Sequence, residues 1–456
     1  MIALLLPHLL SIVVFLFTLL FVSSIIRTKR AAGSTIAWLL LICVFPYIGI
    51  PFYLFLSKRK LSLVKKEKLY LPAKEDKIKN LSSVQKILST SGTPKARLNQ
   101  SIQLLSTGVE AYDDLIALIK NARRSIYITT FVFGNDGVGK KIVRALAERA
   151  KTGIDVRVIV DSFGATIIRH PSFAEFKRLG GKVAYFMPIF HLPFKGRSNL
   201  RNHRKMIVVD KKVAILGGMN LAEEYLGPVQ QPQQWVDLSI KIEGTCVHDI
   251  EDVFLQDWDY AIHRKTILPE SSSILGEQGN LIAQIVASGP DVCGDPLYDV
   301  LLIAIYEAQN NISIVTPYFI PDESLTKALE LAARRGVSVQ IVIPKHSNHP
   351  LADIARGSFI RQLEASGAAI EFYPTMIHSK VVMIDQSLAI LGSANFDMRS
   401  LLLIYELGLM IYSEETLKAV ENWLQAIKLK TVRGIPKSNF FRDLAEGIGR
   451  VIGPVL

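Results

Sequence analysis

The sequence is poor in cysteine, and the three it has, Cys43, Cys246 and Cys293, lie far apart. An odd, scattered set builds no disulfide framework and no zinc cluster. It points to a reducing compartment, or to indifference to one. Charge is also sparse: 21% of residues are charged against 49% hydrophobic, which excludes a mainly disordered chain. Acidic residues are missing from the first 57 positions, whose only bases are Arg27, Lys29 and Arg30. Net charge is missing from residues 101–456, where acids and bases are equal in number. The 456-residue chain nevertheless carries a formal charge of +12 and a mean hydropathy of +0.28. A basic excess and an apolar excess are therefore concentrated near the start of a chain long enough for two or three domains.

Both excesses can be placed. Ile2–Ile26 and Thr35–Leu56 are nearly unbroken apolar runs, each reaching the ~20 residues that cross a bilayer core. A transmembrane hairpin is expected over residues 1–57, with Pro46 and Pro51 bending its second helix. Lys58, Arg59, Lys60, Lys65, Lys66 and Lys68 follow at once. This cluster outnumbers the bases of the connector, so the C-terminal part is expected on the cytoplasmic side of the membrane. Residues 58–100 read as a basic juxtamembrane linker that attracts anionic headgroups.

Residues 101–456 alternate strand-like and helix-like segments, and the order recurs. RRSIYITTFVF (123–133), a helical Lys140–Lys151 and IDVRVIVD match NNISIVTPYFI (310–320), the helical 324–336 and VSVQIVIP. The offset of about 185 residues marks a duplication. The fold class expected is α/β: two homologous modules, 101–263 and 283–456, with mixed sheets flanked by helices. They are joined by a linker at 264–282 and share one active site. The tail from Phe440 to Leu456 reads as a short amphipathic helix.

The strongest chemical signal is itself repeated. His203, Lys205, Asp210, Gly217-Gly218 and Asn220 recur with identical spacing as His378, Lys380, Asp385, Gly392-Ser393 and Asn395. Residues two apart on a strand share a face, so each His projects with its Lys. A turn at the Asp then returns the chain to bring Asn alongside. Lys and Asn donors converge where an anion binds, and pairing the modules gives a phosphate pocket with a histidine on either side. One neutral imidazole can attack phosphorus while the other serves as acid and then base. Lys205, Lys380, Asn220 and Asn395 are the phosphate-binding candidates. Asp210 and Asp385 complete the motif and are counted with His203, Lys205, His378 and Lys380 as catalytic candidates, but their odd offset from Lys favours capping the turn or tying the modules together over entering the chemistry. Asp237 and Glu406 occupy equivalent late strands and are candidates to orient the histidines.

These paired HxKxxxxD motifs, each followed by GGxN or GSxN, resemble the phospholipase D superfamily. With the hairpin, NLRNHRKMIVVD, GGMNLAEEYLG, IVTPYFIPD and NFDMRS, nearly the whole chain is similar to bacterial two-motif cardiolipin synthases. The resemblance implies a phosphatidyltransferase that joins two phosphatidylglycerols and releases glycerol. It implies a phosphatidyl-histidine intermediate, no metal and no other cofactor. His203 would be the nucleophile, His378 the acid/base, with an acidic residue behind each. Gly218 stands where many members have Ser, Ile404 where relatives often have Asn, and VDLS follows Trp235 where RDTH is common. Acceptor preference and rate are the properties those departures touch.

Other readings share parts of this pattern. A phospholipase D releasing phosphatidic acid differs only in admitting water as the nucleophile. A nuclease would need a basic catalytic part, which residues 101–456 lack, so no nucleic-acid partner is expected. The expected partners are phosphatidylglycerol and anionic membrane lipid. A scaffold would tolerate a broken motif, and both copies are intact.

Overall fold

The computed structural model describes residues 2–27, 32–56, 82–167, 171–188, 198–263, 279–435 and 439–452. The bases of the hairpin connector after Arg27, the Lys58–Lys68 cluster and most of the 264–282 linker lie outside the described residues. The chain divides into two units, one of Met1–Arg59 with Pro188–Leu200, the other of Lys60–Met187 with Arg201–Leu456.

The first unit is helical: α1 (Ile2–Arg27), α2 (Ala32–Val44) and α3 (Pro46–Leu56). The second apolar run is therefore not one bent helix. It breaks at Phe45 because Pro46 has no N–H to continue a helix and a ring pre-set to start one; Pro51 stays inside α3. Gly49 lets the backbones close up, since a Cβ there would stand 2.7 Å from the Leu41 carbonyl oxygen. Ile25, Ile42 and Tyr53 are buried, and Tyr53 meets Phe21 and Trp38 edge-on. Phe15, Leu20, Ile36, Leu40 and Phe52 are all more than half exposed. Among the described residues no helix is long and apolar enough to cross a membrane; the described side chains of α1 begin at Phe15.

The second unit opens with α4 (Ser83–Thr90), whose Ser82 and Gln85 form a capping box. Strand β1 (Arg97–Leu105) follows, so a helix and the start of a strand fall inside the span read as linker. Apolar, β-branched runs then give β2 (Ser125–Thr130), β3 (Asp155–Asp161), β4 (Lys182–Phe186), β5 (Met206–Val209), β6 (Val213–Gly217) and β7 (Ser239–Gly244). The second half contributes β8 (Leu281–Ser288), β9 (Asn311–Val315), β10 (Phe319–Ile320), β11 (Ser338–Pro344), β12 (Ala369–Tyr373), β13 (Val381–Ile384), β14 (Leu388–Gly392), β15 (Phe396–Asp397), β16 (Glu406–Ile411) and β17 (Val432–Arg433).

The halves do not form separate sheets. Among the described residues, fifteen strands make one mixed sheet in the order β17-β12-β11-β9-β13-β14-β16-β8-β1-β7-β6-β5-β2-β3-β4. Either side of the antiparallel β8–β1 pair, the strand order of one module repeats that of the other. In each, three strands run parallel (β2-β3-β4, β9-β11-β12), and antiparallel hairpins fill the centre. One apolar core surrounds Ile126, Ile128 and Val158, the other Ile314, Phe319 and Ile341. The tail helix Phe440–Ile452 forms as expected.

Candidate active site

Both HxK segments lead into the first strand of a tight hairpin. β5 pairs with β6 and β13 with β14, antiparallel throughout. The turns need positive φ at two successive residues, which Asp tolerates better than most. Asp210 and Lys211 have φ 53° and 59°; Asp385 and Gln386 have 51° and 52°. The Asp210 carboxylate accepts the N–H groups of Arg123, Arg124 and Ser125 at 2.6–2.9 Å. Asp385 accepts those of Gln309, Asn310 and Asn311 at 2.6–2.8 Å. Each Asp therefore fastens the hairpin to the start of the neighbouring strand in its own module, at the end of β5 or β13 remote from the histidine. Of the roles anticipated, turn-capping is the one these bonds display, and each carboxylate makes them within its own module.

The modules meet through two short parallel contacts. Asn202 bridges Tyr405, and Val236 bridges Ile377. The His203 N–H donates to the Tyr405 carbonyl at 2.9 Å, and the His378 N–H to that of Val236 at 2.6 Å. The next residue on each partner strand is a carboxylate, so the histidines are paired crosswise. His203 Nδ1 lies 2.9 Å from Glu406 Oε1, and His378 Nδ1 lies 2.7 Å from Asp237 Oδ2. Each module thus supplies the carboxylate behind the other module's imidazole. A carboxylate accepting Nδ1–H leaves the Nε2 lone pair facing the pocket.

Burial dominates the electrostatics. It lowers the proton affinity of His203, against the charge of Glu406, with Lys205 and Lys380 adding to the depression. His378 is pushed to about 3 by burial and then by the Lys380 charge, with Asp237 opposing. Lys205 falls to about 7 and Lys380 to about 8, burial first in both cases. Burial works to raise Asp237 and Glu406 as well, but Lys380 and His378 outweigh it for Asp237, and His203 and Lys205 for Glu406. Lys380 acts on His203 and Lys205 acts on His378, which places both motifs in one electrostatic site. Lys380 Nζ stands 2.7 and 3.1 Å from the two ring nitrogens of His378; Lys205 Nζ donates to the His203 carbonyl at 2.9 Å. Asn220 is held by the Thr130 hydroxyl and the Val132 N–H, and Asn395 is buried with its Oδ1 unpartnered. The two motifs thus share one electrostatic site of two imidazoles and two lysines, with Asn220 and Asn395 buried at the ends of the same hairpins, groups of a kind suited to phosphoryl transfer.

A family model described as cardiolipin synthase, PLD-like domain, matches residues 115–258 and 301–428. The chain belongs to this family. A second model, phospholipase D-nuclease N-terminal, matches residues 12–58. A cardiolipin synthase of Clostridium perfringens is 32% identical over 94% of this chain and 95% of its own length. The major cardiolipin synthase of Bacillus subtilis is 31% identical over 98% and 99%. Among solved structures, phosphatidylserine synthase of Haemophilus influenzae aligns with TM-score 0.64 at 17% identity, covering 82% of this chain and all of that one. That likeness concerns the fold alone.

Within this member of the cardiolipin synthase family, the two half-sites differ in ways that sequence reading passed over. Ser393 donates its hydroxyl to Glu406 and accepts the Leu407 N–H at 3.0 Å. At the matching place, Gly218 has no room for a side chain: a Cβ would stand 2.2 Å from Asp237 Oδ1. Glycine with the shorter Asp and serine with the longer Glu are matched pairs, which accounts for the Gly218 departure. His378 is flanked by Tyr225 and Trp235 at 5.1 and 5.4 Å, His203 by Phe131 at 5.3 Å. Arg204, between His203 and Lys205, is 1% exposed. It donates to Asp257 at 2.6 Å and, across the module seam, to the Glu406 and Ser288 carbonyls. The contrast between HRK and HSK was the available signal.

Proposed function

We propose that the chain is a membrane-anchored cardiolipin synthase, transferring a phosphatidyl group between two phosphatidylglycerols through a histidine-bound intermediate. The crossed pairs His203–Glu406 and His378–Asp237 carry this reading, together with relatives over nearly the whole length. His203 is the nucleophile, with its side chain 13% exposed against 5% for His378. Its Nε2 attacks phosphorus and the P–O bond to glycerol breaks, His378 delivering a proton to the departing alkoxide. A primary hydroxyl of the second phosphatidylglycerol then attacks. The P–N bond breaks with its electron pair returning to His203, and His378 takes the hydroxyl proton.

His378 needs that first proton, which the unliganded site does not hold. An anionic phosphodiester supplies the missing negative charge beside Lys205 and Lys380 and raises the proton affinity of every base around it. Lys205, Lys380, Asn220 and Asn395 hold the non-bridging oxygens, so the reading requires no metal. Glu406 and Asp237 fix the ring orientations.

Anchoring rests on the N-terminal helices. α1 has 26 residues, which at 1.5 Å rise span roughly 39 Å. In this reading α2 and α3 together would make the return pass, and the Lys58–Lys68 cluster favours the cytoplasmic face of a bacterial membrane for the catalytic unit. Hydrolysis to phosphatidic acid is the second reading, since the same intermediate accepts water. The purified full chain, given phosphatidylglycerol in mixed micelles without divalent metal, is expected to yield cardiolipin and glycerol in equal amounts. Phosphatidic acid accumulating in their place overturns the proposal.

A further inference from the structure

Arg201 lies two residues before His203. Asn202 and Arg204 both donate to Asp257, so the alternate residues Arg201, His203 and Lys205 take the opposite side of this extended segment. Arg201 is 3% exposed, yet a guanidinium with five N–H donors finds one long contact, Nη1 to Asp161 Oδ1 at 3.5 Å. Asp161 is already engaged: its two oxygens accept the Phe163 and Asn202 N–H groups at 2.8 Å each. Arg201 Nε and Nη2 are buried with no partner among the described residues. Such donors are costly to leave unmade and are ordinarily satisfied.

Among the described residues, no acceptor is found for these two nitrogens. Ile404 precedes the Tyr405 that bridges Asn202, and its side chain is aliphatic. The charges acting on Arg201 are Asp161, then Arg399 from the second module, and Tyr260; Asp397 lies near Arg399. The charge of Arg399, from the second module, therefore acts on buried Arg201. The duplicated motif is not symmetric here: Met376 occupies the place in the second module that Arg201 occupies in the first. Only the first module carries a cation at this place. Arg201 and His203 are separated by two residues of extended chain, roughly 6.6 Å, a spacing that a glycerol bridge between two phosphates can match.

We infer that Arg201, whose unpartnered guanidinium donors are buried beside His203, forms a second anion subsite that holds the phosphate of the accepting phosphatidylglycerol. Building on the proposed synthase reaction, this makes Arg201 a specificity residue: it favours an acceptor that is itself a phosphodiester over water or a plain alcohol. The transferred phosphate does not use it.

The test separates acceptors on the full chain in mixed micelles. Cardiolipin formation from phosphatidylglycerol is measured beside exchange of labelled free glycerol into phosphatidylglycerol, which needs the donor site alone. Arg201→Gln is expected to lower cardiolipin formation about tenfold or more, raise the KM for phosphatidylglycerol as acceptor, and leave glycerol exchange within about twofold. Arg201→Lys, which retains charge without the planar fork, is expected to fall between. Equal loss of both reactions in Arg201→Lys at an unchanged melting temperature overturns the subsite, as does cardiolipin formation unchanged in Arg201→Gln. Wild-type protein that exchanges glycerol but makes no cardiolipin overturns the synthase reading instead, and with it any acceptor phosphate for Arg201 to hold.

Discussion

Replacing Lys205 with Met should abolish activity and make the unliganded protein more stable. Burial moves the Lys205 ammonium from 10.5 to about 7. At about 1.4 kcal/mol for each tenfold change in proton affinity, the charged form is held at a cost on the order of 4–5 kcal/mol below pH 7. Met keeps the stem's volume and removes the charge. The sign of the pH dependence follows from the direction of the shift. Below pH 7 the ammonium is charged in both states and the full cost is present. Between pH 7 and about 10.4 the unfolded chain keeps a proton that the folded chain has released, so wild-type stability rises with pH. Thermal melting in detergent, followed from pH 6 to 9.5, should show Lys205→Met melting several degrees above wild type at pH 6 and the gap closing by pH 9.5. Inorganic phosphate should raise the melting temperature of wild type and not of the variant, because the anion removes the same penalty. A variant that melts below wild type at every pH refutes the reasoning and makes Lys205 a structural partner of Glu406.

The crossed carboxylates should be separable by which half-reaction they slow. Glu406→Gln is expected to reduce formation of the covalent intermediate by about 100-fold or more, and Asp237→Asn to slow its breakdown, both read by rapid quench with labelled lipid. Gly218→Ser should cost at least about tenfold in turnover by displacing Asp237. The double variant Gly218→Ser/Asp237→Glu, which copies the Ser393–Glu406 arrangement, should regain part of it. Asp210→Ala leaves three partly exposed N–H groups without their acceptor and should lower unfolding free energy by about 1–2 kcal/mol. Activity per folded molecule should stay within about threefold of wild type, measured after correcting for the folded fraction.

The local chemistry of the site was legible because it repeats. Identical His–Lys–Asp–Asn spacings named the hairpins, with Asp at each turn. The crossing of Glu406 to His203 and Asp237 to His378 was not legible. It depends on two isolated bridges between segments 203 and 141 residues apart, and no local pattern encodes such a register. Arg204 was passed over because a charge alternating with a catalytic face ordinarily points to water, whereas here that side is the seam between modules. Pro46 was read as a bend, but as a helix-starting residue it ends one helix and opens the next. The single sheet escaped notice because β1 begins at Arg97, within a lysine-rich stretch whose charge masked its strand character.

The central claim is that two modules build one site with a division of labour between its histidines. The direct measurement is a rapid acid-free quench of the protein with phosphatidylglycerol labelled at phosphorus, followed by peptide mapping. The label is predicted on His203 in wild type, formed more slowly but long-lived on His203 in His378→Ala, and absent in His203→Ala. Label on His378, or cardiolipin formed at wild-type rate with no labelled histidine at all, contradicts the account.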